Sequence, residues 1–474
     1  MTLAIETSCD DTSVAVLEKN VEDGNTVAKL HFHKKVTSNN AEHKGVHPLV
    51  SLQSHQENLA ELVGEAIRHL PSIGHSCADA SHTEHPVHRV DIAQKRLPDF
   101  ISVTRGPGMR ANLFTGLDTA KGLATAWQKP LVGVHHMQAH ALTPRMVSAL
   151  APSSASPLTP VFPFLSLLAS GGHTLIIHSA SLTDNRVLGT TNDIAVGECL
   201  DKVARIVLPP DLLQATKSTM YGALLESFAF SRAGHEVTGI QGFGHGSTQS
   251  AAPLPKPSSD TADCTAKSYL DACGNSYDYD VPRNHEEAAR KSATKWGWGF
   301  EQPLTKVHGG TKINSMELSF SGLLTAVERV VKFETDPITK KCTKVERAID
   351  NISIAEKRDI VREVMRAAFE HVTYRLILGL RSIIGNSDSR PGVVLAGGVA
   401  ANSFLRHILA STLCARGYSD IKLYFPPPNY CTDNAAMIAW AGMEMFEAGF
   451  IDPFSIRAIR KWPLDRLLDP VVDG

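Results

Sequence analysis

Two stretches of this chain, far apart in sequence, share one pattern. Leu3-Ala4-Ile5 runs into the polar turn Glu6-Thr7-Ser8-Cys9-Asp10-Asp11-Thr12, and Ser13-Val14-Ala15-Val16-Leu17 resumes as an apolar run. Later, Phe164-Leu165-Ser166-Leu167-Leu168-Ala169 enters Ser170-Gly171-Gly172-His173-Thr174, and Leu175-Ile176-Ile177 follows. Short apolar runs joined by tight polar turns form antiparallel hairpins. Each turn crowds hydroxyls and backbone N–H groups, as suits holding a phosphate or a metal-bound phosphate, although an ordinary polar hairpin has the same residues. At 474 residues the chain is long enough for more than one core, so the repeat reads as a duplicated domain.

Such a duplication is the pattern of the α/β actin/hexokinase/Hsp70 class, in which two ribonuclease-H-like lobes enclose a nucleotide and metal cleft. The expected division is 1–146 with a C-terminal return at 430–474 for the first lobe, and 147–429 for the second. Val147 to Pro160 reads as a Ser/Pro/Ala linker, and 71–97 as an inserted loop without periodicity. A long stretch from about 231 to 304, rich in Gly, Ser, Pro, Asp and Thr, reads as a partly disordered insertion that Trp296-Gly297-Trp298-Gly299-Phe300 could dock. Removing Gly234 to Arg290 is therefore expected to spare folding and metal binding.

Between and after the hairpins come strand–turn–helix units. Phe100 to Thr104 is a strand, Arg105-Gly106-Pro107-Gly108-Met109-Arg110 its turn, and a helix follows through Leu113 to Gln128. Helix N-termini after such turns favour anions. Helices are also expected over Leu49–Leu70, Val196–Arg205 and Ser353–Leu378. On the last, Ile360, Val361, Val364, Met365, Ala368, Phe369, Val372 and Leu376 share a core face, while Arg358, Arg362 and Arg366 form an outer stripe read as solvated, with RNA contact the alternative. Val393-Val394-Leu395-Ala396 ends in Gly397-Gly398-Val399-Ala400-Ala401-Asn402 before another helix, a turn against which adenosine can lie.

The apolar run Pro130 to Val134 leads into His135-His136-Met137-Gln138-Ala139-His140. His136 and His140, four apart, share one helix face and can grip one metal ion, or simply bond to backbone and water. Met137 stands where the zinc-protease pattern His-Glu-x-x-His has its base. Asp433, in Cys431-Thr432-Asp433-Asn434 at the start of an apolar helix, is an acceptable N-cap and also a candidate third ligand.

Composition narrows the function. The formal net charge of −2 leaves any RNA binding to a local basic patch. Eight cysteines without a Cys-x-x-Cys pair argue against a disulfide framework and a thiolate zinc site. No apolar run approaches a membrane span of about 20 residues. Met1 stands two residues before the first strand, so no signal or transit peptide is expected in this sequence.

Ile5 to Thr12, His135 to His140, Ala169 to Thr174, Ser319-Phe320-Ser321-Gly322-Leu323, Gly397 to Asn402 and Cys431 to Asn434 occur in the order found in the TsaD family, the tRNA threonylcarbamoyladenosine transferases once described as O-sialoglycoprotein endopeptidases. The chain resembles that family over nearly its whole length outside the insertions, and its basic ending, Arg457 to Leu464, does too. The opening Glu-Thr-Ser-Cys-Asp is similar to the bacterial and mitochondrial branch. The long low-complexity insertions look eukaryotic, so a mitochondrial member, with its transit peptide absent from this sequence, is expected; a cytoplasmic one is the alternative. The chain departs from the family at Met220-Tyr221-Gly222-Ala223, where Pro-Gly-Gly-Pro is usual, so only Gly222 carries over.

The resemblance implies transfer of threonylcarbamoyl from threonylcarbamoyl-AMP to N6 of adenosine 37 in tRNAs reading ANN codons, with release of AMP. The donor would sit between the lobes, its adenosine against Asp201, Gly222, Gly397, Gly398 and Asn402, and its phosphate and carbamoyl group facing Ala169, Ser170, Gly171, Gly172 and His173. One divalent metal ion per subunit, zinc or iron by donor type with manganese acceptable, would be held by His136, His140 and Asp433. Asp10, Ser170 and His173 are the candidate catalytic residues, Asp10 to orient or deprotonate the attacking amine. tRNA, a separate threonylcarbamoyl-AMP synthase and a second copy of the chain as homodimer are the implied partners. A kinase of the same fold, a metalloprotease and a nucleotide-binding scaffold are the rival readings.

Overall fold

The computed structural model describes all residues except 44, 74–91, 152–156, 217–219, 231–263, 275–276, 306–311, 337, 340, 386–389 and 470–474. The central part of the expected loop at 71–97 and the first part of the expected insertion lie outside the described residues. The chain divides into two compact units, Met1–Thr159 with Asp433–Gly474, and Pro160–Thr432.

The first unit is built on a five-stranded sheet of order β3-β2-β1-β4-β5. Its strands are β1 (Thr2–Glu6), β2 (Asp11–Glu22), β3 (Asn25–Thr37), β4 (Phe100–Gly106) and β5 (Leu131–His135). β1 and β2 form the first hairpin, Ile5 opposite Val14, and β3 extends it antiparallel. β4 and β5 add in parallel, each reached through a helix, as parallel neighbours require. Those helices are Pro48–Arg68, with proline at its first position, and Arg110–Trp127. Leu3, Ile5, Val14, Val16, Leu113 and Leu117 meet in the core.

The second unit contains β6 (Phe164–Ala169), β7 (Thr174–Ser179) and β8 (Asn185–Thr190), a separate ribbon of β9 (Phe333–Thr335) and β10 (Cys342–Glu346), then β11 (Gly392–Ala396) and β12 (Leu423–Tyr424). Its five-stranded sheet has the order β12-β11-β6-β7-β8. β6, β7 and β8 are antiparallel neighbours, and β11 and β12 add in parallel. Numbered within its own sheet, leaving out the β9–β10 ribbon, this is the order of the first sheet, with the same strand directions. The duplicated hairpin grammar therefore extends to duplicated topology.

The Ile354–Ile384 helix is the spine of the second unit, capped by Ser353, whose side chain accepts from Glu356 N. All eight residues of the expected core face are buried. The outer stripe differs from the solvated face expected. Arg366 is 9% exposed; it donates to Glu363 and Glu370, each at 2.8 Å, and to Phe300 O at 3.0 Å. Arg362 donates to Ala229 O at 2.9 Å and pairs with Asp359, and the Arg358 guanidinium lies over Phe228.

Two segments cover this face: the Gly222–Phe230 helix, which carries Phe228 and Ala229, and the latter part of the expected insertion, which carries Phe300. The described residues of 264–304 are not a loose loop: helices form at Ala266–Cys273 and His285–Lys291, and Leu423 N donates to Cys264 O at 2.7 Å beside β12. Trp298 is 4% exposed and donates to Glu356 at 2.9 Å; Phe300 is 1% exposed; Trp296 donates to Asp359 at 2.8 Å. The docking role read for Trp296–Phe300 stands, whereas a harmless removal through Arg290 does not, because it takes Ala266 out of the core and Tyr277 off Glu226. At the other junction the His136–Leu150 helix runs into the expected linker, since Val147 to Leu150 are helical.

Trp298→Ala should lower the stability of this unit by about 3–5 kcal/mol, the usual cost of deleting a buried Trp. Urea unfolding measures it; an unchanged midpoint would mean that 264–304 only lies on the surface.

Candidate functional site

β5 ends at His135 and the His136–Leu150 helix begins there. His135 is the N-cap: Nδ1 accepts from Met137 N at 3.1 Å and Gln138 N at 3.4 Å, and Nε2 donates to Trp462 O at 2.9 Å. With both ring nitrogens so used, His135 is structural. His136 and His140 sit one turn apart on the inward face, ring centroids 4.7 Å apart and nearly perpendicular.

Asp433 meets them from the far end of the chain. Its Oδ1 lies 3.4 Å from His136 Nε2 and 3.1 Å from His140 Nε2. Asp433 is not the cap of the Ala435–Glu447 helix. That role belongs to Asn434, whose Oδ1 accepts from Met437 N at 3.0 Å, so the Asp433 carboxylate is free to face the histidines. Two further contacts fix its approach. Ala435 N donates to Ser13 Oγ at 3.0 Å, and Arg145 on the histidine-bearing helix donates to Glu444 at 2.8 Å.

Glu6 completes the arrangement and was not singled out from sequence. Fully buried, it accepts from Ser8 N and from Thr104 Oγ1, each at 2.5 Å, and its Oε2 is 3.1 Å from His136 Nδ1. Its signal was a carboxylate ending a buried strand, which must find partners. Burial favours the neutral form of every group here, but the charges outweigh it unevenly. His136, between Asp433 and Glu6, is pushed up to about 10. Asp433 is held well below the carboxylate range, against its burial, by His136 and His140. Glu6 is lowered by His136, also against its burial. Burial and the neighbouring His136 charge keep His140 low.

These residues fit a divalent cation. The three ligand atoms lie within 4.8 Å of one another. The separations of 3.1 and 3.4 Å bracket the spacing of about 3.3 Å between tetrahedral ligands on bonds of about 2.0–2.1 Å. Two carboxylates around one imidazolium leave a net negative charge. A cation taking the place of the His136 Nε2 proton would leave Nδ1–H bonded to Glu6, the usual orientation of a metal-bound histidine.

Asp10 belongs to the same unit, in the β1–β2 turn. It is 7% exposed, and burial followed by the Asp433 charge raises its carboxyl. Its neighbour Asp11 is raised to about 7 by burial despite pairing with Lys35 at 3.0 Å.

The donor-contact candidates lie in the second unit. Ser170 N donates to His173 O at 2.8 Å, and His173 N donates to Ser170 Oγ at 3.0 Å, closing the turn. Gly171 and Gly172 are exposed, with open space where a Cβ would stand. Gly397 has φ +96°, and a Cβ there would lie 2.4 Å from Ala169 O, so only glycine brings the two turns together. Gly197 approaches Ser170 O in the same way and opens the Val196–Val207 helix that carries Asp201. Asp201, raised to about 7 by burial, accepts from Tyr221 N at 2.7 Å and thereby fixes the chain next to Gly222. The Asn402 Oδ1 caps the following helix, accepting from Leu405 N at 3.1 Å. Glu226, four residues past Gly222, accepts from Phe404 N at 3.0 Å in that helix's first turn and was not anticipated. Nor was Asp193, which gathers Ser319 Oγ, Phe320 N and Ser321 N at 2.6–3.2 Å and so orders the Ser-Phe-Ser motif; these bonds hold its carboxyl far below the usual range, against its burial.

The chain matches the family model described as TsaD, tRNA N6-adenosine threonylcarbamoyltransferase, over residues 87–252 and 255–440. It is 31% identical to the mitochondrial tRNA N6-adenosine threonylcarbamoyltransferase of Schizosaccharomyces pombe, over 98% of this chain and 87% of that one. It is 30% identical to the tRNA N6-adenosine threonylcarbamoyltransferase of Methylocapsa acidiphila, over 100% of this chain and 99% of that one. Among solved structures it is similar to YeaZ from Pseudomonas aeruginosa over 39% of this chain and 62% of that one, at 15% identity and a TM-score of 0.21, too slight to argue from. The extent of the match settles the family: the chain belongs to the tRNA N6-adenosine threonylcarbamoyltransferases.

Proposed function

We infer that this chain transfers a threonylcarbamoyl group from threonylcarbamoyl-AMP to N6 of adenosine 37 in tRNAs reading ANN codons. The observation that carries the reading is the convergence of His136, His140 and Asp433, in a chain of this family, on atoms spaced for one divalent ion. The N6 amine attacks the carbamoyl carbon, an N–C bond forms, the C–O bond to AMP breaks, and the amine loses a proton. A bound ion, zinc or iron by donor type, supplies Lewis-acid polarisation and a fixed template for donor oxygens.

The remaining tasks belong to side chains. Glu6 holds the His136 ring at Nδ1 and so aims Nε2. Asp10, its carboxyl raised by burial, would orient the amine or accept its proton. The Ser170–His173 turn offers the N–H groups of Gly171 and Gly172 to phosphate and carbamoyl oxygens. Asp201, Gly222, Gly397, Gly398 and Asn402 line the adenosine. An anticodon-loop adenosine is already unpaired, so presenting its N6 costs little. Matching strand order in the two sheets supports ribonuclease-H-like lobes of the actin/hexokinase/Hsp70 class. The mitochondrial name of the S. pombe relative supports that location.

The metalloprotease alternative finds no support. The carboxylate at His136 Nδ1 is Glu6, tied to the ring, to Ser8 N and to Thr104, and so not free to act on water.

Incubation with threonylcarbamoyl-AMP and unmodified tRNA, followed by nucleoside analysis, should yield the modified adenosine and AMP. Threonine, bicarbonate and ATP without a separate synthase should yield none, and product from that mixture would refute the need for a separate synthase. His140→Ala and Asp433→Ala should each lower metal content and abolish transfer while the fold persists. Asn434→Ala should do the reverse, costing about 1 kcal/mol of stability through the lost cap with metal content kept. Elemental analysis showing unchanged metal in both ligand variants would return Asp433 to a purely structural role.

A further inference from the structure

A chain of formal net charge −2 attracts a polyanion only through a local cluster of cations. One such cluster lies in the first unit, where the C-terminal segment crosses the turn after β4. Ile459 N donates to Arg105 O at 2.8 Å, and Gly108 N donates to Arg460 O at 3.3 Å. The crossing is close enough that a Cβ on Gly106 would stand 2.0 Å from Ile459 O. Arg457, Arg460, Lys461 and Arg466 are all exposed there. Among the described residues none of the four makes an ion pair, whereas Arg105 beneath them is paired with Asp452 at 3.3 Å.

Exposed cations are ordinary; what lies under these is not. Met109 N donates to Ser8 O at 2.9 Å, and Asn112 Nδ2 to Cys9 O at 2.7 Å, so the turn that carries the tail rests on the Ser8–Cys9 hairpin. Ser8 Oγ in turn lies 3.2 Å from His136 Nδ1. From the other side, His135 binds Trp462 O at 2.9 Å, one residue beyond Lys461. The cations are thus tied to the His136–His140–Asp433 cluster through one turn and one hairpin, all within one unit.

We propose that Arg457, Arg460 and Lys461 bind the phosphate backbone of the substrate RNA and hold the nucleotide to be modified near that cluster. The proposal rests on the RNA-modifying reading above. Guanidinium forks match phosphate oxygens in pairs and the Lys ammonium acts as a point charge. Such contacts fix position without reading sequence. The surface therefore sets affinity and register, and the choice of adenosine is made elsewhere.

The test compares wild-type protein with the triple variant Arg457→Ala, Arg460→Ala, Lys461→Ala, measuring binding of unmodified tRNA from about 50 to 200 mM salt. At the low end Kd should rise at least about tenfold, and the slope of log K against log salt should become shallower by about two to three, near one per phosphate contact. Metal content and the thermal unfolding midpoint should stay at wild-type values. A second variant, with Arg457→Lys and Arg460→Lys, should keep most of the salt slope. Equal affinity and slope in the alanine variant would overturn the proposal, as would loss of binding equally severe in the lysine variant. Absence of modified nucleoside with the wild-type protein would instead count against the transfer reading itself.

Discussion

The carboxylate of Asp433 is the group that holds the first unit's buried histidine pair together. It reaches His140 across a separation of 293 residues and is shared between two imidazoles. Burying a carboxylate without partners is expensive. Here the cost is offset by His136, which keeps its proton between Asp433 and Glu6. The arrangement is thus a charge cluster as well as a ligand set, and a divalent ion would complete it by taking over the role of that proton.

Holding such a cluster to a few tenths of an ångström requires rigid supports. The Ala435–Glu447 helix that follows Asp433 is buried almost throughout, with Trp440 fully enclosed, and packs on β1, β2 and the histidine-bearing helix. The ion pair of Arg145 with Glu444 locks the two helices in register, and both partners are nearly buried. Removing either would strand a charge, the costly way to break such a pair. The C-terminal return is therefore structural: it closes the first unit's core and at the same time brings Asp433 to the histidine pair.

Much of this was legible in the sequence. The paired hairpins announced two related sheets because apolar runs around a polar turn have few other ways to fold. The four-residue spacing of His136 and His140 put both rings on one helix face. Other features were hidden for physical reasons. Asp433 and Asn434 are both good caps, and only the backbone decides which one points back along its helix. Arg358, Arg362 and Arg366 carry the spacing of a solvated stripe, yet Phe300 meets Arg366 from a segment with no periodicity of its own, and Phe228 and Ala229 meet Arg358 and Arg362. Burial by isolated aromatics leaves no pattern for a sequence reading to detect. Glu6 was visible as a carboxylate at the end of an apolar strand, but its partners, Thr104 and His136, are neighbours only in the folded chain.

The proposed chemistry rests on one divalent ion held by two imidazoles and a carboxylate. X-ray absorption at the metal edge of the metal-loaded protein tests this most directly. Only nitrogen and oxygen neighbours are expected, at about 2.0–2.2 Å, with the multiple-scattering signature of two imidazoles. A sulfur neighbour at about 2.3 Å would place the ion on a cysteine such as Cys9 and contradict it.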